Sequence, residues 1–248
     1  MWSEPQTGRR EVIGLDVGEI ESEAFWREFL RSLKRRGLDG VRLCVSDAHE
    51  GLKNAIARVL GCPWQRCTVH FVRDVHQHCR PSQRALVSAA LREVFNADSY
   101  NQAREHVTTV IAQLEPTAPK VSEFLADAEE DLLACYRFPA EHSTKLRSTN
   151  PLERVNREIG RRTDVVGISP NDASLIRLAG MLLIEQNDEW LVGRRYLSQE
   201  SLAAVLIPET ELSARAGLSP GPASPSPASP SEKEEDQTAE EVVSALAA

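Results

Sequence analysis

The order of strand and helix signals in the first 72 residues most constrains the fold of this chain. Residues 11–17 (EVIGLDV) and 41–45 (VRLCV) are short, largely apolar stretches that predict strands, and residues 64–72 predict a third strand. Apolar side chains recur at helical spacing over residues 22–37 and again over residues 52–60, between those strands. Strand–helix–strand connections favour parallel pairing, so the pattern predicts an α/β sheet with at least one parallel crossover.

The strand signals end near residue 73, and the later patterns are helical. Amphipathic helices are predicted over residues 85–94, 100–114 and 121–133, where apolar residues recur three and four positions apart. A further helix is predicted from Asn150 to about Arg162, and a long helix rich in Leu and Ile over residues 171–190. A polar loop is predicted after Phe138-Pro139. The chain therefore combines a strand-containing first part with a helical block and two further helices.

The composition changes at Gly217, where a C-terminal tail rich in proline and acidic residues begins. The tail holds five prolines, six acidic residues and one lysine, and it has too few apolar residues to form a core, so we predict that it is disordered. The formal net charge of the chain is −8. Most of this charge belongs to the tail, so the overall charge does not exclude a nucleic-acid partner for the rest of the chain.

Cysteine usage and hydropathy indicate the compartment. The chain has five cysteines, an odd number that argues against a secreted disulfide framework. No apolar run reaches the roughly 18 residues that a transmembrane helix requires. The sequence therefore predicts a cytoplasmic protein without a membrane partner.

Two carboxylates stand at positions where the sequence allows either a structural or a chemical role. Asp47 follows a predicted strand, where α/β proteins collect ligand-binding groups, but Asp47 and Glu50 also match a helix capping box. Glu153 lies three residues after Asn150, so it either reciprocates a helix cap, pairs with Arg157, or binds a ligand. The residues alone leave these alternatives open.

A basic stretch surrounds Glu153. Residues 145–163 contain six Lys or Arg residues against two glutamates. Three of the arginines, Arg154, Arg157 and Arg161, recur at helical spacing, which can present a row of guanidinium groups to a phosphate backbone. The alternative is a solvated helix face with scattered ion pairs.

A cluster of cysteines and histidines lies between residues 62 and 79. Its members are Cys62, Cys67, His70, His76, His78 and Cys79. Their spacing matches no usual zinc finger, which needs four tetrahedral ligands, so we do not expect zinc. We expect Cys67 and His70 to lie on a strand in a packed or hydrogen-bonded role.

Several stretches, taken together, resemble the Mutator-type family of bacterial insertion-sequence transposases, a branch of the DDE recombinases. The motifs that carry the resemblance are Arg36-Gly37-Leu38, Ser46-Asp47-Ala48-His49, Gly51-Leu52, WQRCTVHF at residues 64–71, Phe138-Pro139, STNPLERVN at residues 148–156, Arg162-Thr163 and Asn187-Asp188-Glu189-Trp190. They follow the family's order over about residues 9 to 200.

The resemblance implies a fold and a domain organisation. It implies a partial RNase H-like core, a mixed sheet with flanking helices, interrupted by an all-helical insertion. The first part of the core would span residues 1–72, the insertion residues 73–140, and the final part with the acid-bearing helix residues 141–200. Residues 201–248 would form a linker and the disordered acidic tail.

The resemblance also implies a mechanism of DNA transposition. Asp47 would be the second and Glu153 the third of three catalytic acids that hold two Mg²⁺ ions, with Mn²⁺ as a substitute, for strand cleavage and strand transfer. Cys67 and His70 match the family's C-x-x-H motif and would support the site. The expected DNA-binding residues are Lys145, Arg154, Asn156, Arg157, Arg161 and Arg162.

The chain departs from the family pattern at its beginning. The family's first aspartate lies on a strand upstream of residues 11–17, and we do not assign Asp16 as its substitute. We therefore expect a truncated transposase copy that is weak or inactive alone and that forms homo-oligomers or mixed oligomers with a full-length transposase. The alternative is a non-catalytic DNA-binding or transposition-modulating protein derived from a transposase.

Overall fold

The computed structural model describes residues 2–3, 7–18, 20–167, 171–206 and 242–244. The strands of this part are β1 (Trp2–Ser3), β2 (Glu11–Val12), β3 (Asp16–Gly18), β4 (Cys44–Ser46), β5 (Trp64–Arg66) and β6 (Val242–Ser244). The helices are α1 (Glu23–Arg35), α2 (Glu50–Val59), α3 (Thr68–His78), α4 (Arg84–Phe95), α5 (Tyr100–Leu114), α6 (Pro119–Leu133), α7 (Ala140–Leu146), α8 (Asn150–Val166), α9 (Asp172–Val192) and α10 (Gln199–Leu206).

The predicted parallel crossover is present. Strands β4 and β5 pair in parallel, with Cys44 opposite Trp64 and Ser46 opposite Arg66, and α2 connects them. The other described strands form the antiparallel pairs β1–β2 and β3–β6. The fold is thus a mostly helical α/β structure with small sheets, and the finer prediction of an RNase H-like core stays a prediction.

Helices α1 and α2 pack on each other beside this sheet. Trp26, Leu30 and Ile56 are almost fully buried at their contact. Ser22 caps α1 by accepting a hydrogen bond from the backbone N–H of Phe25 at 3.2 Å, which fixes where the helix begins. The start of α2 approaches the start of α1 closely at Gly51, where an added Cβ would lie 2.9 Å from the backbone nitrogen of Glu23.

The helical block forms a second core. Helices α3, α4, α5 and α6 bury a continuous set of apolar side chains, including Phe71, Leu91, Val107 and Leu125. The helices predicted over residues 85–94, 100–114 and 121–133 are confirmed. Their apolar spacing identifies them because each helix buries one face.

A fully buried glutamine joins the sheet to this block. The Gln65 amide donates to the backbone carbonyl of Leu132 at 3.0 Å, and its Oε1 accepts from the backbone N–H of Cys135 at 2.7 Å. These bonds satisfy the side chain and the backbone at the end of α6. Strand β5 is thereby tied to the helical block as well as to β4.

The chain after the block returns to the sheet. Leu152, Val155 and Ile159 form the buried face of α8, and Leu152 packs near Leu43 and Val45. The N–H of Val12 donates to the side-chain oxygen of Asn187 at 3.0 Å, which connects β2 to α9. Among the described residues no helix combines the length and apolar content that crossing a membrane requires.

The strand predicted over residues 64–72 is wrong in its second half. Strand β5 ends at Arg66 and α3 begins at Thr68, so Cys67 and His70 do not alternate across a strand. Thr68, Phe71 and Val75 are the buried residues of α3, and their spacing of three and four fits a helix period rather than a strand period. Residue 72, the predicted end of the first core segment, therefore lies inside α3.

Two segments predicted as irregular contain helices. Residues 140–146, predicted as a loop, form α7, in which His142 and Ser143 are buried. Residues 199–206 form α10, which overlaps the predicted linker. The disordered-tail prediction lies largely outside the described residues, but β6 within it pairs with β3, where β-branched valines favour a strand.

The close approach at Gly51 gives a testable consequence for stability. We expect Gly51→Ala to lower the free energy of unfolding by about 1–3 kcal/mol, because the added Cβ forces α1 away from α2. The matched control is Gly160→Ala in α8, where an added Cβ meets no atom within 4 Å, and which should stabilise the protein by about 0.5–1 kcal/mol. Urea denaturation measures both, and equal effects would contradict this role of Gly51.

Candidate active site

A cleft of about 370 Å³ lies where β4 ends, between α3 and the beginning of α8. Its walls carry both carboxylates singled out in the sequence, Asp47 and Glu153. The cleft also contains His70, Asn156 and Arg157. The fold therefore gathers residues from distant parts of the sequence into one polar site.

Asp47 reaches the cleft from the end of β4 and does not cap a helix. The cap of α2 is His49, whose Nδ1 accepts the backbone N–H of Leu52 at 3.1 Å. The capping-box interpretation of Asp47 is therefore wrong, since a neighbouring residue satisfies the helix end. The Asp47 side chain is 57% exposed, so its carboxylate is accessible from solvent.

Glu153 reaches the cleft from the first turns of α8. The residue before this helix is Thr149, which makes no side-chain cap bond, so the predicted Asn150 cap and its reciprocal bond to Glu153 are absent. Among the described residues, the cations close to Glu153 are His70 and Arg73 rather than the predicted Arg157. Only 25% of the side chain is exposed, so the carboxylate is held inside the cleft.

His70 stands between the two carboxylates. Its Nδ1 lies 2.6 Å from Oδ1 of Asp47, and its Nε2 lies 3.4 Å from Oε1 of Glu153. Contact with Asp47 is the largest influence on the His70 pKa, and contact with the Cys67 sulfur is the second. Together they outweigh the effect of burial and raise the pKa of His70 to about 10. At neutral pH the ring is an imidazolium that offsets the repulsion between the two acids.

Cys67 supports His70 from the buried side. Burial disfavours the thiolate, but hydrogen bonds from His70 and Thr149 prevail and lower the pKa of the Cys67 thiol. The Thr149 hydroxyl and backbone N–H donate to the sulfur at 3.3 and 3.4 Å. The backbone N–H and hydroxyl of Thr68 donate to the carbonyl of Arg147 at 2.9 and 3.0 Å. These bonds attach the beginning of α3 to the residues that precede α8.

The other members of the predicted cysteine and histidine cluster lie elsewhere. Cys62 packs beside the α1–α2 core, Cys79 is buried in the helical block, and His76 contacts the Ser88 hydroxyl. A different set, Asp47, Cys67 and His70, offers three ligand atoms within 4.8 Å of one another. This is one ligand fewer than a closed structural zinc site needs.

The predicted DNA-binding residues separate into three groups. Asn156 and Arg157 line the cleft, and Arg154 and Arg157 line a groove between α8 and α9. Arg161 and Arg162 line the same groove but pair with Glu158, at 2.6 and 2.9 Å, and lower the pKa of its carboxyl to about 2. Lys145 points to the backbone carbonyl of Tyr196, outside the cleft.

Two residues of the cleft escaped the sequence analysis. Arg73 lies one helical turn after His70, with its guanidinium 3.8 Å from Oε2 of Glu153. His70 and Arg73 are three residues apart, a spacing that places two side chains on the same face of a helix. This relation was missed because the segment was predicted to be a strand. Glu21 precedes α1 and also lines the cleft, and no pattern in the sequence around it indicates this position.

Comparison with known proteins identifies the family. The family model described as "Transposase, Mutator family" matches residues 5–193, which is most of the chain. The chain belongs to the Mutator family of transposases. The resemblance found in the motifs is therefore confirmed.

Curated relatives agree with this family assignment. A 219-residue match to the transposase for insertion sequence element IS1081 of Mycobacterium tuberculosis is 40% identical, covering 87% of this chain and 53% of the relative. The transposase for IS406 of Burkholderia multivorans is 41% identical over 194 residues, and the match covers 77% of this chain and 50% of the relative. The transposase for IS256 in transposon Tn4001 of Staphylococcus aureus is 36% identical over 195 residues, with the same coverages of 77% and 50%. The chain thus spans about half the length of the curated relatives it matches.

The raised pKa of His70 makes the stability of this Mutator-family chain depend on pH. The folded value of about 10 lies above the unfolded value of about 6.5, so His70 stabilises fully below about pH 6.5 and loses this effect as pH rises through 10. We expect His70→Gln to cost about 1.5–3 kcal/mol at pH 6 and much less at pH 10.5.

The measurement is urea denaturation of both proteins at the two pH values. His78→Gln, at the end of the same helix and outside the cleft, is the control for loss of an imidazole. A cost of His70→Gln that stays constant from pH 6 to pH 10.5 would show that the imidazolium does not provide the stabilisation.

Proposed function

We propose that this chain supplies the metal-dependent DNA cleavage and strand-transfer site of a DDE-type transposase, with Asp47 and Glu153 as catalytic carboxylates. The observation that carries the proposal is the pair of contacts from His70 to Asp47 and Glu153 across one cleft. A helix cap or a surface ion pair explains neither acid, since His49 caps α2 and Glu153 is largely buried.

The atoms of the cleft suit a hard divalent cation. Asp47, Glu153 and Asn156 offer side-chain oxygens, the ligand type that Mg²⁺ and Mn²⁺ prefer. Oδ1 of Asn156 is shielded from solvent and forms no hydrogen bond within the described residues, and the shielded Oε1 of Glu153 has the 3.4 Å ion-pair contact with His70. When bound, Mg²⁺ would activate the attacking oxygen and stabilise the leaving oxygen in phosphodiester cleavage.

The protein groups around the carboxylates have separate tasks. His70 orients both acids and reduces their mutual repulsion by its positive charge. Arg73 and Arg157 lie on the walls of the cleft, where a guanidinium can bind a phosphate oxygen in two-point fashion. These cations would hold the DNA backbone against the acids.

A track for DNA continues from the cleft along α8. Arg157 lines both the cleft and the groove between α8 and α9, and Arg154 lines that groove. Neither arginine forms an ion pair within the part of the chain that the structure describes, whereas Arg161 and Arg162, which line the same groove, share Glu158. We infer that Arg154 and Arg157 carry most of the phosphate contact.

Oligomer formation and a cytoplasmic location belong to the same proposal.

Metal binding tests the catalytic assignment. We expect Asp47→Asn and Glu153→Gln each to weaken Mn²⁺ binding about tenfold or more, because each removes an anionic oxygen ligand. Titration followed by electron paramagnetic resonance measures free Mn²⁺, with Asp39→Asn, an exposed aspartate outside the cleft, as the matched control. Any strand cleavage of end-containing DNA with Mg²⁺ or Mn²⁺ should also be lost in Asp47→Asn. Unchanged Mn²⁺ affinity in both variants would contradict the assignment.

DNA binding tests the track on α8. We expect Arg154→Ala combined with Arg157→Ala to weaken binding strongly and to reduce the slope of log K against log salt by about 2, since two phosphate contacts are lost. The control is Arg161→Ala combined with Arg162→Ala, which removes the same charge from residues paired with Glu158.

Fluorescence anisotropy at several salt concentrations gives both quantities. Equal effects of the two double variants would refute the track. DNA binding through the track, combined with unchanged Mn²⁺ affinity in Asp47→Asn and Glu153→Gln, would favour the alternative of a non-catalytic DNA-binding protein.

A further inference from the structure

A thiol, an imidazole and a carboxylate converge at the floor of the cleft. Cys67, His70 and Asp47 each offer one ligand atom, and these three atoms lie within 4.8 Å of one another. The Cys67 side chain is fully buried, whereas the Asp47 side chain is 57% exposed. The cluster therefore has a closed side formed by sulfur and an open side through which an ion can enter from solvent.

The backbone around the cluster holds these residues together. The N–H of Cys67 donates to the carbonyl of Ser46 at 2.8 Å, which places Cys67 beside the residue that precedes Asp47. Cys67 directly precedes α3, but its side chain forms no cap bond, so the sulfur is not used to end the helix. His70 follows three residues later, a spacing that puts the two side chains on one side of the first helical turn.

Further contacts support the cluster from outside. The hydroxyl and the backbone N–H of Thr149 donate to the Cys67 sulfur at 3.3 and 3.4 Å. The Nδ1 atom of His70 faces Asp47, and its Nε2 faces Oε1 of Glu153 at 3.4 Å. A histidine that binds a metal through one ring nitrogen commonly has a carboxylate at the other nitrogen, and such outer contacts orient the ligands.

The ligand types distinguish this cluster from a magnesium site. Sulfur and imidazole nitrogen favour Zn²⁺, whereas Mg²⁺ prefers oxygen atoms. Zinc sites with three protein ligands keep a fourth position open for water or another small ligand. The sequence expectation against zinc concerned a closed finger with four ligands. An open site needs only three, and one of them, Asp47, lies outside the segment that holds the cysteines and histidines.

The distances require only a small adjustment. Two ligand atoms of one tetrahedral Zn²⁺ lie about 3.3–3.7 Å apart. The contact between Asp47 and His70 is 2.6 Å, so it must widen by about 1 Å, and the exposed Asp47 side chain has room to move. The remaining separations are at most 4.8 Å and must shorten by about 1 Å.

We propose that Asp47, Cys67 and His70 form an open three-ligand site for Zn²⁺. The ion takes the place of the protons on His70 and Cys67, which are released to solvent, and it provides the positive charge beside Asp47. The site depends on these three ligands alone and does not require the proposed function. One consequence does rest on the proposed function: because both sites use Asp47, bound Zn²⁺ would exclude Mg²⁺ and inhibit strand cleavage.

The test measures Zn²⁺ and Co²⁺ binding to the metal-free full chain and to its variants Cys67→Ser and Asp47→Asn. Competition with a chromogenic chelator gives the Zn²⁺ affinity and stoichiometry. Co²⁺ reports the ligand type, because cobalt bound to a thiolate has a near-ultraviolet charge-transfer band. The matched control is Cys62→Ser, which removes a thiol beside the α1–α2 core and outside the cleft. Circular dichroism verifies that each variant folds.

The expected result is one Zn²⁺ per chain and a thiolate band with Co²⁺. Cys67→Ser should abolish the band and weaken Zn²⁺ binding at least tenfold, and Asp47→Asn should weaken Zn²⁺ binding about tenfold while keeping the band. Cys62→Ser should change neither quantity.

The proposal is overturned if the full chain binds no Zn²⁺ at micromolar concentration, or if Cys67→Ser keeps both the band and the affinity. Should Cys67→Ser fail to fold, Asp47→Asn decides, because Asp47 is exposed, and an unchanged Zn²⁺ affinity in that variant overturns the site. Mn²⁺ binding by Asp47 and Glu153 is measured separately, so the zinc site and the proposed function can fail independently.

Discussion

The candidate site depends on the attachment between the beginning of α3 and the segment before α8. Thr149 donates two hydrogen bonds to the Cys67 sulfur, and Thr68 donates two to the carbonyl of Arg147. The helical block lies between these two segments in the sequence, so these bonds, together with the packing of Leu152 near Leu43 and Val45, bring α8 to the end of β4. The four bonds place Glu153 beside His70, and His70 beside Asp47.

Electrostatics explains why a histidine, His70, lies between the two acids. Two carboxylates that face each other in a partly enclosed cleft repel, and a cation between them lowers the free energy of the folded state. The imidazolium of His70 supplies one positive charge, and the Cys67 sulfur keeps the ring in place. The two carboxylates that His70 contacts are the ones we propose as metal ligands.

Much of the fold could be predicted because most helices bury one face, and a single buried face has a period visible in the sequence. The helices of the helical block and α8 follow this rule, whereas α9 also exposes apolar side chains such as Met181 and Ile184. The segment after β5 misled the prediction because CTVHFV is short, apolar and rich in β-branched residues, which suits a strand as well as a helix. The role of Asp47 was ambiguous for a similar reason, since the motif does not say which of two polar residues caps α2. Glu158 is one of the two glutamates in the basic stretch, but only the structure shows that it forms ion pairs with both Arg161 and Arg162.

The sequence by itself determined the family, the parallel crossover, the helical block and the two acids as candidates, because ordered motifs and periodic apolar residues are properties of the chain. Tertiary structure alone decided which polar groups meet. It placed His70 between the acids, added Arg73 and Glu21 to the cleft, and removed Arg161, Arg162 and Lys145 from its walls. The physical reason is that ion pairs and ligand sets depend on distances of a few ångströms between segments far apart in the chain, which spacing in the sequence does not encode.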